Sequence, residues 1–301
     1  MANIALLAVC LLMGILLRRT GRMPSSTPAA LNGYVINVAL PAAAIRYIHD
    51  LTLEPSLLLT GLMAWLLFGA GWLFFAAAAR LLRLSAGATG ALVLVGGLGN
   101  TSFVGLPMIE AWYGKELLGI GIIADQLGSF LVLSTLGVLA ASIYSSGGVS
   151  ARAMGRKVIM FPPFQALCLA FLLKPVPFHP MVVTVLQKLA DTIAPVAIVS
   201  VGFQLIFGAA AAQAKPLLTG LAFKLLFGPA LIALLYIGLF GGADQTMRVT
   251  LFEAAMPPMI TAGIVAVDHG LEPDLVALML GIGIPLSFLS LAGWWNILER
   301  F

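Results

Sequence analysis

Between residues 96 and 107 the chain reads Gly96-Gly97-Leu98-Gly99-Asn100-Thr101-Ser102-Phe103-Val104-Gly105-Leu106-Pro107, with four glycines, three adjacent polar residues and a proline in twelve positions. Such a segment makes a poor uniform helix. Proline removes a backbone donor and clashes with the turn before it, and glycine lowers the cost of unwinding. The segment lies inside a long apolar run, and in lipid unwound backbone is tolerated only where protein buries it or it lines a wet cavity. A break here leaves two half-helices. The half expected to begin near Pro107 turns its free N–H groups and positive dipole end toward the break. Those groups suit an anion, and Asn100, Thr101 and Ser102 add side-chain donors and acceptors at the same depth. A second run, Glu253-Ala254-Ala255-Met256-Pro257-Pro258-Met259-Ile260-Thr261, repeats the device with two adjacent prolines. Two ordinary proline kinks would do no chemistry. Two breaks at matched positions read as one site, with Met256, Pro257 and Pro258 facing Asn100, Thr101, Ser102 and Pro107.

Ionisable residues inside apolar spans are costly and are functional suspects. Asp125, Asp191 and Glu253 fall in such runs, and each is a candidate to carry a proton or help hold a sodium ion. The bland alternative is that they pair internally, for example with Lys188 or Lys224. Gln126 and Gln204 are expected to hydrogen-bond across helices. His49, His179 and His269 each lie at a span end, far apart, with no second ligand at metal spacing, so no metal or cofactor is expected. Cys10 and Cys168 sit in apolar spans and read as buried packing thiols. Trp112 and Tyr113 are consistent with an interfacial aromatic belt.

The elements that position these residues follow from solvent. The chain is 61% hydrophobic and 9% charged over 301 residues, against about 25% charged in an ordinary soluble domain. A spanning helix needs roughly 20 apolar residues, and such runs recur end to end. The spans are expected at 2–17, 28–48, 56–80, 87–110, 117–143, 159–173, 181–210, 216–240, 246–267 and 273–298, giving ten transmembrane helices in an all-α membrane protein. A Ser/Gly joint, Ser145 to Val149, precedes the sixth. Residues 2–17 lack a basic leading segment, and Arg18, Arg19 and Arg22 follow the apolar run, so a retained first span is expected rather than a cleaved signal. The net charge of +4 gathers in the joints, which argues against nucleic acid. Nine of the sixteen basic residues fall in alternate joints on one side, so the positive-inside rule puts both termini outside the cytoplasm, in the periplasm of a bacterial inner membrane.

An internal repeat orders the spans. Asn37-x-x-x-Pro41 in the second span corresponds to Asp191-x-x-x-Pro195 in the seventh, 154 residues on, and Pro107 corresponds to Pro258, 151 residues on. Halves of five spans each, 1–150 and 151–301, must have opposite orientation, which is an inverted-topology repeat. The breaks in spans 4 and 9 then cross near the midplane, and Asn37 joins the candidate substrate residues as the repeat partner of Asp191.

Asn100-Thr101 with Gly105-Leu106-Pro107, and Ala254-Ala255-Met256-Pro257 with Gly270-Leu271-x-Pro273-Asp274, resemble the fourth and ninth spans of the auxin efflux carriers. Leu40-Pro41-Ala42 and Ser200-Val201-Gly202 resemble their second and seventh. The resemblance covers essentially the whole chain. It implies a fold of the kind seen in bile-acid symporters and plant auxin carriers, with a scaffold domain (spans 1, 2, 6, 7), a transport domain (spans 3–5, 8–10) and a homodimer through the scaffold. It also implies a substrate site at the crossing, with Asn100 on the substrate carboxylate. The long hydrophilic central loop of the plant carriers is missing here, so the chain resembles the short prokaryotic branch. Its expected substrate is a small mono- or dicarboxylate rather than auxin. The expected function is a secondary transporter of a small organic anion across the bilayer by alternating access. Alternatives are a sodium- or proton-coupled symporter or antiporter for another solute, and a non-transporting membrane sensor. An intramembrane enzyme is not expected, because no HExxH motif appears and no histidine lies mid-span.

Overall fold

The computed structural model describes residues 2–145, 150–205, 213–240 and 244–301. Within them the chain is helical from end to end, with no strand beyond a single isolated bridge. In chain order the helices are α1 (Ala2–Arg19), α2 (Thr27–Asp50), α3 (Ser56–Leu82), α4 (Ala86–Gly96), α5 (residues 101–112) and α6 (Lys115–Tyr144). They continue with α7 (Ala151–Ile159), α8 (Pro162–Leu173), α9 (Pro180–Gln204), α10 (Ala214–Leu239), α11 (Gln245–Ala254), α12 (Ile260–Asp268) and α13 (Pro273–Leu298). Among the described residues six of these, α2, α3, α6, α9, α10 and α13, are long and apolar enough to cross a membrane. The helices match the apolar runs closely. Most of the expected Ser/Gly joint, residues 146–149, and the end of the seventh run, 206–210, lie outside the described residues. The sixth run begins at Pro162 rather than 159. The basic residues Arg152, Arg156 and Lys157 do not sit in an open joint but on α7, a short amphipathic helix.

Large aliphatic side chains such as Leu58, Leu73, Leu172, Leu234 and Leu289 point outward. That is the surface expected of a protein whose solvent is hydrocarbon. Cys168 belongs to this outer surface, not to the packing, while Cys10 is buried. Trp112 packs on Trp295 and Tyr113 on Phe252.

In lipid the hydrophobic effect does not drive helices together, so close packing through small residues does. α1 lies against the second half of α9, where Gly14 and Gly202 bring the two backbones together. A Cβ on Gly14 would collide with the Val199 carbonyl, and one on Gly202 with that of Leu11. α8 and α9 pack on α2, with Ser200 Oγ donating to Asn32 Oδ1 at 2.6 Å. Of the remaining long helices, α3 packs against α6 and α11, and α10 against α13, α11 and α3, while α6 also touches α2. The joints meet at two ends. Ser85 after α3 donates to Glu272 after α12 at 3.0 Å. At the other end Lys174 after α8 donates to the carbonyls of His49 and Leu51, at 3.0 and 2.5 Å.

The Gly202 contact is backbone on backbone, so no side chain can move aside. Gly202→Val is expected to cost more than the roughly 1–3 kcal/mol of ordinary overpacking. The variant should melt well below the parent in detergent and yield less monodisperse protein on size exclusion. An unchanged melting temperature would contradict the packing described.

Candidate functional site: two broken helices bridged through their backbones

Gly97 to Asn100 interrupt the fourth apolar run, and Ala255 to Met259 interrupt the ninth. The first break falls earlier than the sequence suggests. It lies at the glycines and Asn100, and Pro107 sits seven residues further on, inside α5. The turn before that proline, Thr101–Gly105, is wound as a π turn. The wider turn bonds each N–H to a carbonyl five residues back, as in Gly105 N–H to Asn100 O at 2.9 Å. The chain thus absorbs the proline as a local widening instead of stopping. In the second break the expectation holds: α11 ends at Ala254, and Met256, Pro257 and Pro258 are unwound.

The two unwound segments run antiparallel and bond to each other. Asn100 N–H donates to Pro257 O at 2.8 Å and Met259 N–H to Leu98 O at 3.2 Å, which pairs Gly99 with Pro258. Four helix ends therefore converge. α4 and α11 bring carbonyl ends, partly negative, and α5 and α12 bring N–H ends, partly positive.

Asn100 caps α5. Its Oδ1 accepts from Phe103 N–H at 3.1 Å, which fixes the amide's orientation because a backbone N–H can only donate. Its Nδ2 is buried and has no partner among the described residues. No side chain caps the N-terminus of α12. Two sets of unused donors thus stand at one place, and an acceptor of either charge state is the complement they lack.

Asp125, from a π turn of α6, reaches into α5. Its Oδ1 accepts from Thr101 Oγ1 and Ser102 Oγ, both at 2.6 Å, and its Oδ2 from Gln126 Nε2 at 2.6 Å. The carboxylate therefore uses the hydroxyls of Thr101 and Ser102, which act on the helix rather than on a ligand. Gln126 bonds its neighbour, and Gln204 bonds Ser200 on its own helix, so neither makes the cross-helix bond expected of it. Glu253, at the end of α11, is fully buried, and neither carboxylate oxygen has a hydrogen-bond partner among the described residues. It lies against two glycines: a Cβ on Gly105 would collide with the carboxylate, and one on Gly121 would stand 3.2 Å from Oε1.

Two expected site residues are elsewhere. Asn37 is exposed and donates to Gly33 O of its own helix at 2.7 Å. Asp191 lies at a turn within α9, partly exposed, and binds Lys115 Nζ at 2.6 Å and Gln187 Nε2 at 2.7 Å. Its internal partner is Lys115, not Lys188 or Lys224. One residue is present that the sequence reading used only as a pairing partner: Lys224 of α10 is fully buried and donates to Ala254 O at 3.2 Å. The signal was available, since a lone lysine in so apolar a run has to find buried acceptors.

A cavity of about 600 Å³ approaches the crossover from one end of the molecule. It runs from Arg18 and Gln204 along Gly263 and Ile264 to Ile260, the first residue of α12. Arg18 Nη1 is held at its mouth by the carbonyls of Phe203 and Leu205, at 3.2 and 3.0 Å. At the opposite end a smaller recess of about 380 Å³ is lined by Arg46, Tyr47, Asp50, Lys115 and Gln187. Here Lys115 and Gln187 tie the start of α6 to α9 through Asp191, and Gln187 also donates to Tyr47 Oη at 2.7 Å.

A family model described as membrane transport protein matches residues 1–295. An uncharacterized transporter of the archaeon Methanothermobacter thermautotrophicus is 31% identical over 309 residues, covering 96% of this chain and 95% of the relative. A probable auxin efflux carrier component 5a of Oryza sativa subsp. japonica is 34% identical over 82 residues, covering 27% of this chain and 22% of that protein. Bridged broken helices, a cavity lined by one of them and a match along the whole length agree, and the chain belongs to the membrane transport protein family, that of the auxin efflux carriers.

Proposed function

We propose that this membrane transporter is a secondary carrier that moves a small organic anion, a mono- or dicarboxylate, by alternating access. The observation that carries the reading is the crossover itself: an unpartnered, buried Asn100 amide on the segment that is bridged to the uncapped start of α12, whose first residue, Ile260, lines a cavity. N–H ends and a neutral amide bind negative oxygen without a competing carboxylate in the first contact. Asn100 holds the substrate carboxylate. Met256, Pro257 and Pro258 shape the crossing, Thr101 and Ser102 hold α5 to Asp125, and Pro107 lies further along α5.

The ten-span, five-plus-five inverted arrangement is part of the proposal. It is supported by the antiparallel pairing of the two breaks and by the joints meeting at alternate ends. The division into a scaffold (α1, α2, α8, α9) and a moving body (α3–α6, α10–α13) is supported by how these helices pack. The end that bears Arg18 is the more basic one, so the larger cavity opens to the cytoplasm. At the far end the Lys115–Asp191 pair joins the two groups across a polar seam. Access from one side only is what an alternating carrier requires of any single state. Ion coupling is favoured by one observation, the carboxylate of Glu253 buried without a donor. We assign Asp191 to the seam rather than to coupling, because Lys115 and Gln187 already hold its carboxylate.

Asn100→Ala removes both the cap and the free donor. Uptake of a carried dicarboxylate into liposomes should fall about ten- to a hundredfold, the range expected when a hydrogen bond to a charged group is lost. Expression and melting temperature should change far less, and uptake equal to the parent would refute the site. The sign of charge gives a separate check. A carboxylate ligand should raise the melting temperature in detergent while its neutral amide does not. Equal shifts from both would remove the helix ends from the binding role.

A further inference from the structure

The short helix α7 has no part in the crossover, yet it carries Arg152, Arg156 and Lys157. All three side chains are exposed, and none has an ion-pair partner among the described residues. The sequence around them supplies no counter-charge, because no acidic residue occurs from 126 to 190. The helix is nevertheless a defined element. Ser150 Oγ accepts from Ala153 N–H at 3.3 Å and caps its start. At its other end Gln165 Nε2 donates to the Ile159 carbonyl at 2.9 Å, and the Phe161 ring stacks on Phe130 of α6 at 3.9 Å.

Arg152, Arg156 and Ile159 follow one stripe of the helix, at i, i+4 and i+7. Along that stripe the surface changes from basic to aliphatic, and Ile159 and Met160 are 63% and 61% exposed. Exposed aliphatic side chains mark the level of hydrocarbon, so Arg156 and Lys157, within a turn of them, stand at the level of the headgroups. The end of α6 that leads to α7 lies at the Arg18 end of the molecule. Tyr144 packs on Gly90, five residues beyond the Ser85 that donates to Glu272, and Pro273 lines the same cavity as Arg18.

Arginines at i and i+4 present their planar forks on one face, and each fork takes a phosphate through two parallel hydrogen bonds. Lys157 adds a compact charge beside them. A zwitterionic headgroup brings its own cation and offsets this attraction, whereas a net anionic one does not. A soluble acidic partner would meet the charge and leave Ile159 and Met160 uncovered. A lipid covers both with one molecule.

We propose that α7 is a binding site for anionic phospholipid, with Arg152, Arg156 and Lys157 on the headgroup phosphate and Ile159 and Met160 against the acyl chains. The site is separate from the crossover and does not depend on the carrier reading. Because α7 links α6 to α8, the bound lipid holds the join between the proposed moving body and the frame.

The test titrates the delipidated full-length protein in detergent with phosphatidylglycerol or phosphatidylcholine and follows the melting temperature. Phosphatidylglycerol should raise it, and phosphatidylcholine should not. Each basic residue near an anionic surface contributes about fivefold in affinity, so Arg152→Gln/Arg156→Gln/Lys157→Gln should need on the order of a hundredfold more phosphatidylglycerol for the same shift. The control Arg19→Gln/Arg22→Gln/Arg80→Gln removes equal charge from the same end and should titrate like the parent. Equal titration of the parent and the α7 variant would overturn the proposal. An equal weakening in the control would do so as well, since it would assign the effect to the general charge of that end. Inorganic phosphate distinguishes a lipid from a free anion, and a shift matching that of phosphatidylglycerol would remove the lipid from the site. If the triple variant does not fold, Arg156→Gln and Lys157→Gln singly decide, each with about a fivefold weakening expected and unchanged titration of both as the contrary result.

Discussion

A polypeptide that unwinds inside a bilayer exposes N–H and C=O groups that lipid cannot satisfy, at several kilocalories per mole for each group left alone. In this protein each of two unwound segments supplies what the other lacks. Leu98 offers its carbonyl to Met259, and Asn100 takes the carbonyl of Pro257. The two prolines reduce the demand from their own side, because neither has an N–H to satisfy. This reciprocity makes the breaks one object. Neither segment can rewind or shift alone without stranding polar groups of its partner, so α4, α5, α11 and α12 must move together if they move at all.

Once the bridge exists, the surroundings are constrained by charge. Carbonyl ends attract cations and N–H ends attract anions, and at low dielectric both effects are larger than in water. The side chains follow that division. Lys224 lies on the carbonyl of α11, and the free Asn100 amide lies at the N–H end of α5. Asp125 sits off the crossing, drawn onto α5 by Thr101 and Ser102, so its charge is spent on holding α6 in place. Glu253 reaches its position only because residues 105 and 121 are glycines. Any side chain there would push the carboxylate away from the crossing.

Much of this was legible in the sequence, and the failures have physical causes. The apolar runs located the helices because lipid imposes one length on every crossing. Pro257 and Pro258 located a break because two consecutive prolines leave no donor to continue a helix. Pro107 misled for a related reason: one proline can be carried by a π turn, and the turn at Thr101–Gly105 does so. The actual break fell at Gly97–Asn100, where glycine content was the better guide. Asn37 reads as a site residue only through its repeat relation to Asp191. A repeat conserves backbone position and not the direction of a side chain, and Asn37 points outward. The Lys115–Asp191 pair was illegible, because it joins residues that only the assembled fold brings together. The amphipathic helix α7 was hidden by its charge, which reads as an open joint.

The two kinds of interface differ in strength, and this difference shapes the proposed motion. α1 and α9 meet backbone to backbone at Gly14 and Gly202. Sliding there would separate closely packed main chains, so that pair behaves as a rigid frame. The seam at the far end is of another kind. Lys115 and Asp191 are each roughly two-fifths exposed, at 43% and 40%, and an ion pair that wet contributes about 0–1 kcal/mol. A tie of that size can open on thermal energy and close again without leaving a buried charge. Beneath it α5 rests on α1 and α9, so the crossover touches the frame along the path that a bound solute would follow. In the proposed carrier the frame holds, the seam yields, and the bridged half-helices travel as one body with their ligand between the cavity now open and the recess now tied shut.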